Sequence, residues 1–219
     1  MSKIKGVIFD LDGVIVDTAK FHFLAWRKLA NELGINFTET QNEELKGVSR
    51  VRSLEKILEW GNTSLSEDEF MQKMAVKNDN YLSYITNLTS KDILPGVSKI
   101  IDFLTKQNIP IALGSASKNA RPILKKTGLI EKFQAIVDGN DVSKAKPNPE
   151  VFITAANKID IPNEHCLVFE DSVAGVQAAN KAGMLSIGIG DKAVLREAAY
   201  VFNSFEEIEI EFIKKLVTL

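Results

Sequence analysis

The chain has 219 residues, 45% of them hydrophobic and 26% charged, with a formal net charge of −2. This composition excludes a disordered or collagen-like chain, and so small a net charge gives no general electrostatic reason to bind nucleic acid. No stretch approaches the roughly 18 apolar residues of a membrane span, and Cys166 is the one cysteine, so no intrachain disulfide forms. We therefore expect a monomeric cytoplasmic protein, without nucleic-acid or membrane partners, that has room for one α/β core and a small inserted domain.

The first predicted element is a buried strand, and a long helical segment follows it. Residues 7–9 are apolar and run directly into Asp10. From about residue 18 to about residue 89 the apolar positions recur at helical spacing only, and Ser66 with Glu69 forms a capping box. The simplest interpretation is a helical cap, residues 18–89, inserted into a core made of residues 1–17 and 90–219.

Beyond the cap, short apolar runs alternate with helical patterns. Pro110 lacks a backbone N–H and therefore fits only the beginning of a strand. Such alternation predicts a doubly wound parallel α/β sheet, in which ligands bind outside the carboxyl ends of the strands. The four runs, each ending in polar residues or glycine, are residues 109–113, 135–137, 167–169 and 185–189.

Carboxylates follow two of these predicted strands. Asp10 and Asp12 come directly after the first strand, and Glu170 and Asp171 follow the strand at residues 167–169. Neighbouring anions repel each other and require a cation, and Mg²⁺ prefers oxygen ligands of this kind. The alternative for Asp171 is to cap the helix that follows it, a role in which aspartate is common.

Small polar residues and lysines follow other strand ends. Ser115, Ser117, Lys118 and Asn119 come after the second core strand, where hydroxyl and backbone N–H groups suit a phosphate. Lys146 supplies a positive charge for a transferring group. Each of these features alone is also typical of ordinary loops and helix caps, but their shared position at strand ends groups them into one site.

The chain resembles the haloacid dehalogenase superfamily. Four motifs carry the resemblance in the usual order: Asp10-Leu11-Asp12-Gly13, Ser115, Lys146-Pro147 and Glu170-Asp171. The resemblance implies a Rossmann-like core with a helical cap after the first strand. It implies Asp10 as the nucleophile that forms an aspartyl-phosphate and Asp12 as the general acid and base. It also implies Mg²⁺ held by Asp10, the main-chain carbonyl of Asp12 and Asp171, with Glu170 assisting.

Within the superfamily, the chain resembles mutases that interconvert β-D-glucose 1-phosphate and glucose 6-phosphate through glucose 1,6-bisphosphate. The matching segments are residues 9–18, 46–50, 77–81 and 115–119, with His22 and Trp26. The resemblance implies that Thr18 and His22 aid cap closure and proton transfer by Asp12, and that Lys146 is catalytic. It implies substrate contacts from Trp26, Gly47, Val48, Ser49, Arg50, Lys77, Asn78, Ser115, Ala116, Ser117, Lys118 and Asn119, with Arg50 gripping a phosphate remote from the metal.

Simpler interpretations stand beside these roles. Arg50 lies two residues from Arg52 and fits a solvated basic face, Lys77 fits an exposed helix lysine, and His22 fits a surface histidine. Trp26 fits the cap core or a wall facing the sugar. For the whole chain, the alternatives are a phosphosugar phosphatase using the same Asp10 and Asp12 and a catalytically silent scaffold. His165 and Cys166 are interpreted as structural.

Overall fold

A computed structural model describes residues 3–217 and contains a single six-stranded parallel sheet. The strand order is β3-β2-β1-β4-β5-β6, so the chain builds one half of the sheet outward from β1 and then returns to build the other half. The predicted doubly wound α/β fold is confirmed. The strands are β1 (Gly6–Phe9), β2 (Ile111–Gly114), β3 (Ala135–Val137), β4 (Cys166–Glu170), β5 (Leu185–Ile189) and β6 (Tyr200–Phe202).

The point where the strand order reverses lies between β1 and β4. These strands pair in parallel, with Phe9 opposite Phe169, and the N–H of Asp10 donates to the carbonyl of Phe169 over 3.0 Å. A reversal of this kind opens a crevice at the carboxyl ends of the two strands. Asp10 and Glu170 therefore reach the same crevice from adjacent strands.

Helices cover both faces of the sheet, which explains why its central strands are apolar throughout. Ile8 faces one apolar layer with Phe152, and Phe9 faces the other, where its ring stacks on Phe169 with centroids 4.9 Å apart. The core helices are α5 (Val97–Lys106), α6 (Ala120–Thr127), α7 (Glu150–Lys158), α8 (Val173–Lys181) and α9 (Ile210–Val217).

Between β1 and α5 the regular elements are helical, as the apolar spacing predicts. Trp26, Leu54 and Ile57 belong to a separate apolar cluster within this segment, and the predicted Ser66–Glu69 capping box is present. The division at residues 18–89 stays a prediction. The helices are α1 (Ala19–Glu32), α2 (Glu39–Glu43), α3 (Arg50–Trp60) and α4 (Glu67–Tyr84), followed by a short 3₁₀ turn at Ser90–Asp92.

Two chain crossings join this helical segment to the sheet, and they lie side by side. Val16 forms an isolated antiparallel bridge with Ile93, and the N–H of Leu94 donates to the carbonyl of Ile15 over 2.9 Å. Both crossings are therefore tied together directly below the helical segment.

The second strand begins later than predicted. It starts at Ile111 because the N–H of Ile109 donates to the carbonyl of Leu104 at the end of α5, while Pro110 contributes its carbonyl to the N–H of Val7. The elements α2, β6 and α9 are absent from the sequence-based prediction. No helix among residues 3–217 is long and apolar enough to cross a membrane.

Candidate active site

A cavity of about 680 Å³ lies between the strand ends and the four helices that follow β1. Of the predicted site residues, only Thr18, Asn78 and Glu170 do not line it. The predicted residues that line the cavity are Asp10, Asp12, His22, Trp26, Gly47, Val48, Ser49, Arg50, Lys77, Ser115, Ala116, Ser117, Lys118, Asn119, Lys146 and Asp171.

Three carboxylates converge at the switch point. One oxygen each from Asp10, Glu170 and Asp171 lies within 4.8 Å of the others. Gly13 makes this approach possible: its φ is +80°, and a Cβ there would overlap the carboxylate of Asp171. Burial and the charges of Glu170 and Asp10 raise the pKa of Asp171 well above its usual range. Such crowding of oxygen donors fits a hard divalent cation such as Mg²⁺.

Lys146 is fully enclosed beside two of these carboxylates. Its Nζ lies 2.6 Å from Oδ1 of Asp10 and 2.5 Å from Oε1 of Glu170. Burial disfavours the ammonium, but the charges of Asp10 and Glu170 outweigh burial and raise the pKa of Lys146. For Asp10, burial is the largest influence and raises its pKa to about 7, although Lys146 acts in the opposite direction.

Glu170 is held on both of its carboxylate oxygens. Oε1 accepts from Lys146, and Oε2 accepts from the N–H of Ser172 over 2.8 Å and from its hydroxyl over 2.9 Å. Ser172 itself caps α8 by accepting from the N–H of Gly175 over 3.0 Å. The alternative that Asp171 caps this helix is therefore wrong, and its carboxylate is left to the acidic cluster.

Asp12 faces a different set of partners from those of Asp10. Thr18 donates its hydroxyl to Oδ1 of Asp12, and Nε2 of His22 lies 3.6 Å from the same oxygen. Burial in the crevice raises the pKa of Asp12, but the nearby His22 and the hydrogen bond from Thr18 lower it overall. The pKa values of the two carboxylates at the end of β1 are thus shifted in opposite directions, because their surroundings differ.

Lys77 lies behind His22 and is buried, with 2% of its surface exposed. Its Nζ is 2.9 Å from Nδ1 of His22 and 4.4 Å from the centroid of the Trp26 ring. Burial, followed by the charge of Arg50, lowers the pKa of Lys77 to about 7. The alternative of an exposed helix lysine is therefore wrong. The side chain of His22 is partly exposed, and it lies between Lys77 and Asp12.

Arg50 is half-buried and differs from its neighbour Arg52. Arg52 is exposed and forms ion pairs with Glu55 at 3.1 Å and Glu59 at 2.7 Å. Within residues 3–217, Arg50 has no carboxylate partner, and its Nη2 donates to Oδ1 of Asn78 over 2.7 Å. The solvated basic face therefore describes Arg52 and not Arg50.

The loop after β2 presents donors to the same cavity. The N–H of Ser117 donates to Oγ of Ser115 over 3.1 Å, and the N–H of Asn119 donates to Oγ of Ser117 over 3.2 Å. These turns precede α6 and fix the shape of the loop. Asn119 then donates its Nδ2 to Oδ1 of Asn78 over 3.0 Å, which links the loop to α4.

Two polar residues without a predicted role lie against the acidic cluster. Lys46 places its Nζ 3.9 Å from Oδ2 of Asp171, and Ser172 holds Glu170 as described. Lys46 has a sequence signal, because it begins the matching segment at residues 46–50. Ser172 has a weaker one, since a serine between a strand and a helix is a common N-cap.

Comparison with known proteins defines the class to which this site belongs. Residues 4–183 match the family described as haloacid dehalogenase-like hydrolase, and the chain belongs to this family. The chain is 41% identical over 211 residues to a β-phosphoglucomutase of Bacillus subtilis, covering 95% of this chain and 93% of that protein. The crystal structure of a β-phosphoglucomutase from Clostridium difficile superposes with a TM-score of 0.94 at 42% identity, covering 98% and 97% of the two chains.

Relatives with a different activity in their names also match over most of their length. A phosphorylated carbohydrates phosphatase of Thermotoga maritima is 29% identical over 212 residues, covering 93% of this chain and 96% of that protein. The resemblance to the haloacid dehalogenase superfamily is thereby confirmed, and identity is higher to the two mutases.

Proposed function

We propose that the protein interconverts β-D-glucose 1-phosphate and glucose 6-phosphate through glucose 1,6-bisphosphate. The observation that carries this proposal is that one cavity holds two separate groups suited to phosphates. Asp10, Lys146 and the acidic cluster form one group at the strand ends, and Arg50 with Asn119 forms the other beneath the helices. The identity of 41% to a β-phosphoglucomutase supports the same assignment.

In the proposed cycle, the aspartyl-phosphate at Asp10 first gives its phosphoryl group to β-D-glucose 1-phosphate. Asp12 removes the proton of the 6-hydroxyl of the sugar, that oxygen bonds to phosphorus, the bond from phosphorus to Asp10 breaks, and glucose 1,6-bisphosphate forms. The bisphosphate then exchanges its two ends, and Arg50 and Asn119 hold the phosphate that is remote from Asp10. A carboxylate oxygen of Asp10 attacks the phosphorus of the 1-phosphate, Asp12 returns its proton to the leaving sugar oxygen, and glucose 6-phosphate leaves the regenerated aspartyl-phosphate.

The roles of the surrounding groups follow from charge. Lys146 compensates the negative charge that approaches Asp10, and Thr18 and His22 orient Asp12. A bound Mg²⁺, for which Asp10, Asp171 and the main-chain carbonyl of Asp12 are the proposed ligands, supplies further neutralisation of phosphate charge. Glu170 assists by fixing Lys146. Closure of the helical segment over the cavity excludes water, so the aspartyl-phosphate passes to a sugar and is not hydrolysed.

The test supplies β-D-glucose 1-phosphate, Mg²⁺ and a trace of glucose 1,6-bisphosphate, and follows glucose 6-phosphate and free phosphate separately. We expect glucose 6-phosphate to form with little free phosphate, and chelation of the metal to stop the reaction. Rapid release of free phosphate without glucose 6-phosphate would instead identify a phosphatase, the activity in the name of the Thermotoga maritima relative.

A further inference from the structure

The amide of Asn78 forms a bridge between Arg50 and Asn119, two residues that line the cavity away from the acidic cluster. Its Oδ1 accepts from Nη2 of Arg50 over 2.7 Å and from Nδ2 of Asn119 over 3.0 Å. Arginine only donates hydrogen bonds, so the atom of Asn78 that faces it must be the amide oxygen. One oxygen therefore accepts from a residue of the helical segment and from a residue of the sheet domain.

Besides Asn78, the side chain of Arg50 has no hydrogen-bond acceptor among the described residues 3–217. Within residues 3–217, the guanidinium makes one side-chain hydrogen bond, and this bond goes to Asn78. A half-buried guanidinium with five N–H groups can hold considerably more than one amide oxygen. Most N–H groups of Arg50 are thus available to an anion. The position between Arg50 and Asn119 is occupied by Oδ1 of Asn78.

We propose that Oδ1 of Asn78 stands in for an oxygen of the remote phosphate when no substrate is bound. This inference rests on the proposed function, which assigns Arg50 and Asn119 to that phosphate. The entering phosphate displaces the amide oxygen, because an anionic oxygen forms stronger hydrogen bonds to a guanidinium than a neutral amide does. Asn78 is therefore an internal competitor that keeps the two donors aligned and lowers the affinity for phosphosugars.

The bridge also carries a conformational consequence. Asn78 lies on α4 and Asn119 precedes α6, so their hydrogen bond joins the helical segment to the sheet. When phosphate replaces the amide oxygen, Arg50 and Asn119 remain connected through the phosphate. Arg50 and Asn119 thus donate to Oδ1 of Asn78 or to a phosphate oxygen, and only the accepting atom changes.

The test measures binding of glucose 1,6-bisphosphate in the presence of Mg²⁺ by calorimetry, using the Asp10→Asn protein so that no phosphoryl transfer occurs. Added to this background, Asn78→Ala is expected to tighten binding about three- to tenfold, because the competitor is gone. Asn78→Asp is expected to weaken binding on the order of 100-fold, because a carboxylate pairs with Arg50 and repels phosphate. Asn78→Ser repeats the first comparison should the alanine variant fold poorly.

The matched control is Asn80→Ala. Asn80 lies on the same helix and accepts from Lys28 over 2.8 Å, outside the cavity. This control is expected to bind as the Asp10→Asn parent does. Weaker or unchanged binding in both Asn78→Ala and Asn78→Ser would overturn the proposal, because an ordinary substrate contact loses affinity when removed. Absence of bisphosphate binding in the parent would overturn it as well.

Failure of this inference is distinguishable from failure of the proposed function. The mutase assay uses the wild-type protein and reports which product forms, whereas the calorimetric comparison reports only how Asn78 changes binding. A protein that forms glucose 6-phosphate but binds less tightly after Asn78→Ala is a mutase without the internal competitor.

Discussion

The ammonium of Lys146 lies 2.6 Å from a carboxylate oxygen of Asp10, and both side chains are almost completely buried. The two residues are 136 positions apart in the chain, so the pair depends on the assembled sheet. The protein itself therefore supplies a positive charge to Asp10, and Glu170 holds that charge in place by pairing with Lys146.

Lys146→Met is expected to lower turnover by a factor of about 100 or more, because the charge that faces the transferring group is removed. It also leaves Asp10 and Glu170 buried without their cation, which costs about 3 to 5 kcal/mol of unfolding free energy. Denaturant unfolding measures this loss, and Lys125→Met on the exposed side of α6 is the control. If Lys146→Met lowered the unfolding free energy equally in the wild-type and Asp10→Asn proteins, the result would contradict the coupling between Lys146 and Asp10.

Asp12→Asn is expected to damage the sugar reaction selectively. Asn cannot donate the proton that a sugar hydroxyl leaving group requires, so turnover with glucose phosphates should fall by a factor of about 100 to 10,000. A small activated phosphate ester has a leaving group that needs no proton, and its hydrolysis should fall much less. Steady-state kinetics with both substrates make the comparison, and equal losses would remove Asp12 from the proton transfer.

Arg50→Ala is expected to separate the mutase reaction from simple ester hydrolysis. Mutase turnover should fall by a factor of about 100, because the remote phosphate loses its charged donor, while hydrolysis of a small activated ester should remain within a few-fold of wild type. The control is Arg52→Ala, which removes an exposed ion-paired arginine two residues away and should change neither rate. Equal losses in both reactions would mean that Arg50 does not hold the remote phosphate.

Lys77→Met is expected to change stability in a pH-dependent way. The pKa of Lys77 is about 7 in the folded protein, against an ordinary value of 10.5. Between these two pH values Lys77 is protonated in the unfolded chain and largely neutral in the folded protein. The free energy of unfolding of the wild type therefore rises with pH over this range. The variant should therefore gain most relative to wild type below about pH 7, with the gain shrinking by about 5 kcal/mol at most towards pH 10.5.

Denaturant unfolding at a series of pH values measures this difference. Lys73→Met is the control, because Lys73 lies on the same helix but pairs with Glu32 at 2.9 Å on the outside. A stability difference for Lys77→Met that stays constant with pH would contradict a depressed pKa at this position.

The features that the sequence predicts well have local signals. The apolar strands end directly in Asp10 and in Glu170-Asp171, and parallel strands bring their carboxyl ends to one edge. The acidic cluster follows from these two facts. The Ser66–Glu69 capping box is equally local, because both partners lie within one helical turn.

The features that the sequence does not predict depend on contacts between distant elements. Lys77 is buried because α1 packs on α4, and nothing in the sequence of α4 alone distinguishes it from Lys73. The Asn78 bridge joins side chains that are 28 and 41 positions away. The strand β6 has only three residues, all partly exposed, so its apolar signal is weak.

Helix α9 differs from these cases because it carries a local signal of its own. Ile210, Ile213 and Val217 stand at helical spacing, and Ile213 and Val217 are buried against the core. The apolar pattern therefore makes the helix predictable. Its packing in the apolar layer that contains Phe9 depends on distant residues and is not predictable from that pattern.

The most direct test of the central claim follows one phosphoryl group through Asp10. Glucose 1,6-bisphosphate with isotopically labelled phosphorus is mixed with the Mg²⁺-loaded protein, part of the sample is quenched in acid, and the label is located by peptide mass analysis. Unlabelled β-D-glucose 1-phosphate is then added to the remainder. We predict label on Asp10 first and afterwards in sugar phosphates. Absence of label from Asp10, or its recovery only as free phosphate, would contradict the account.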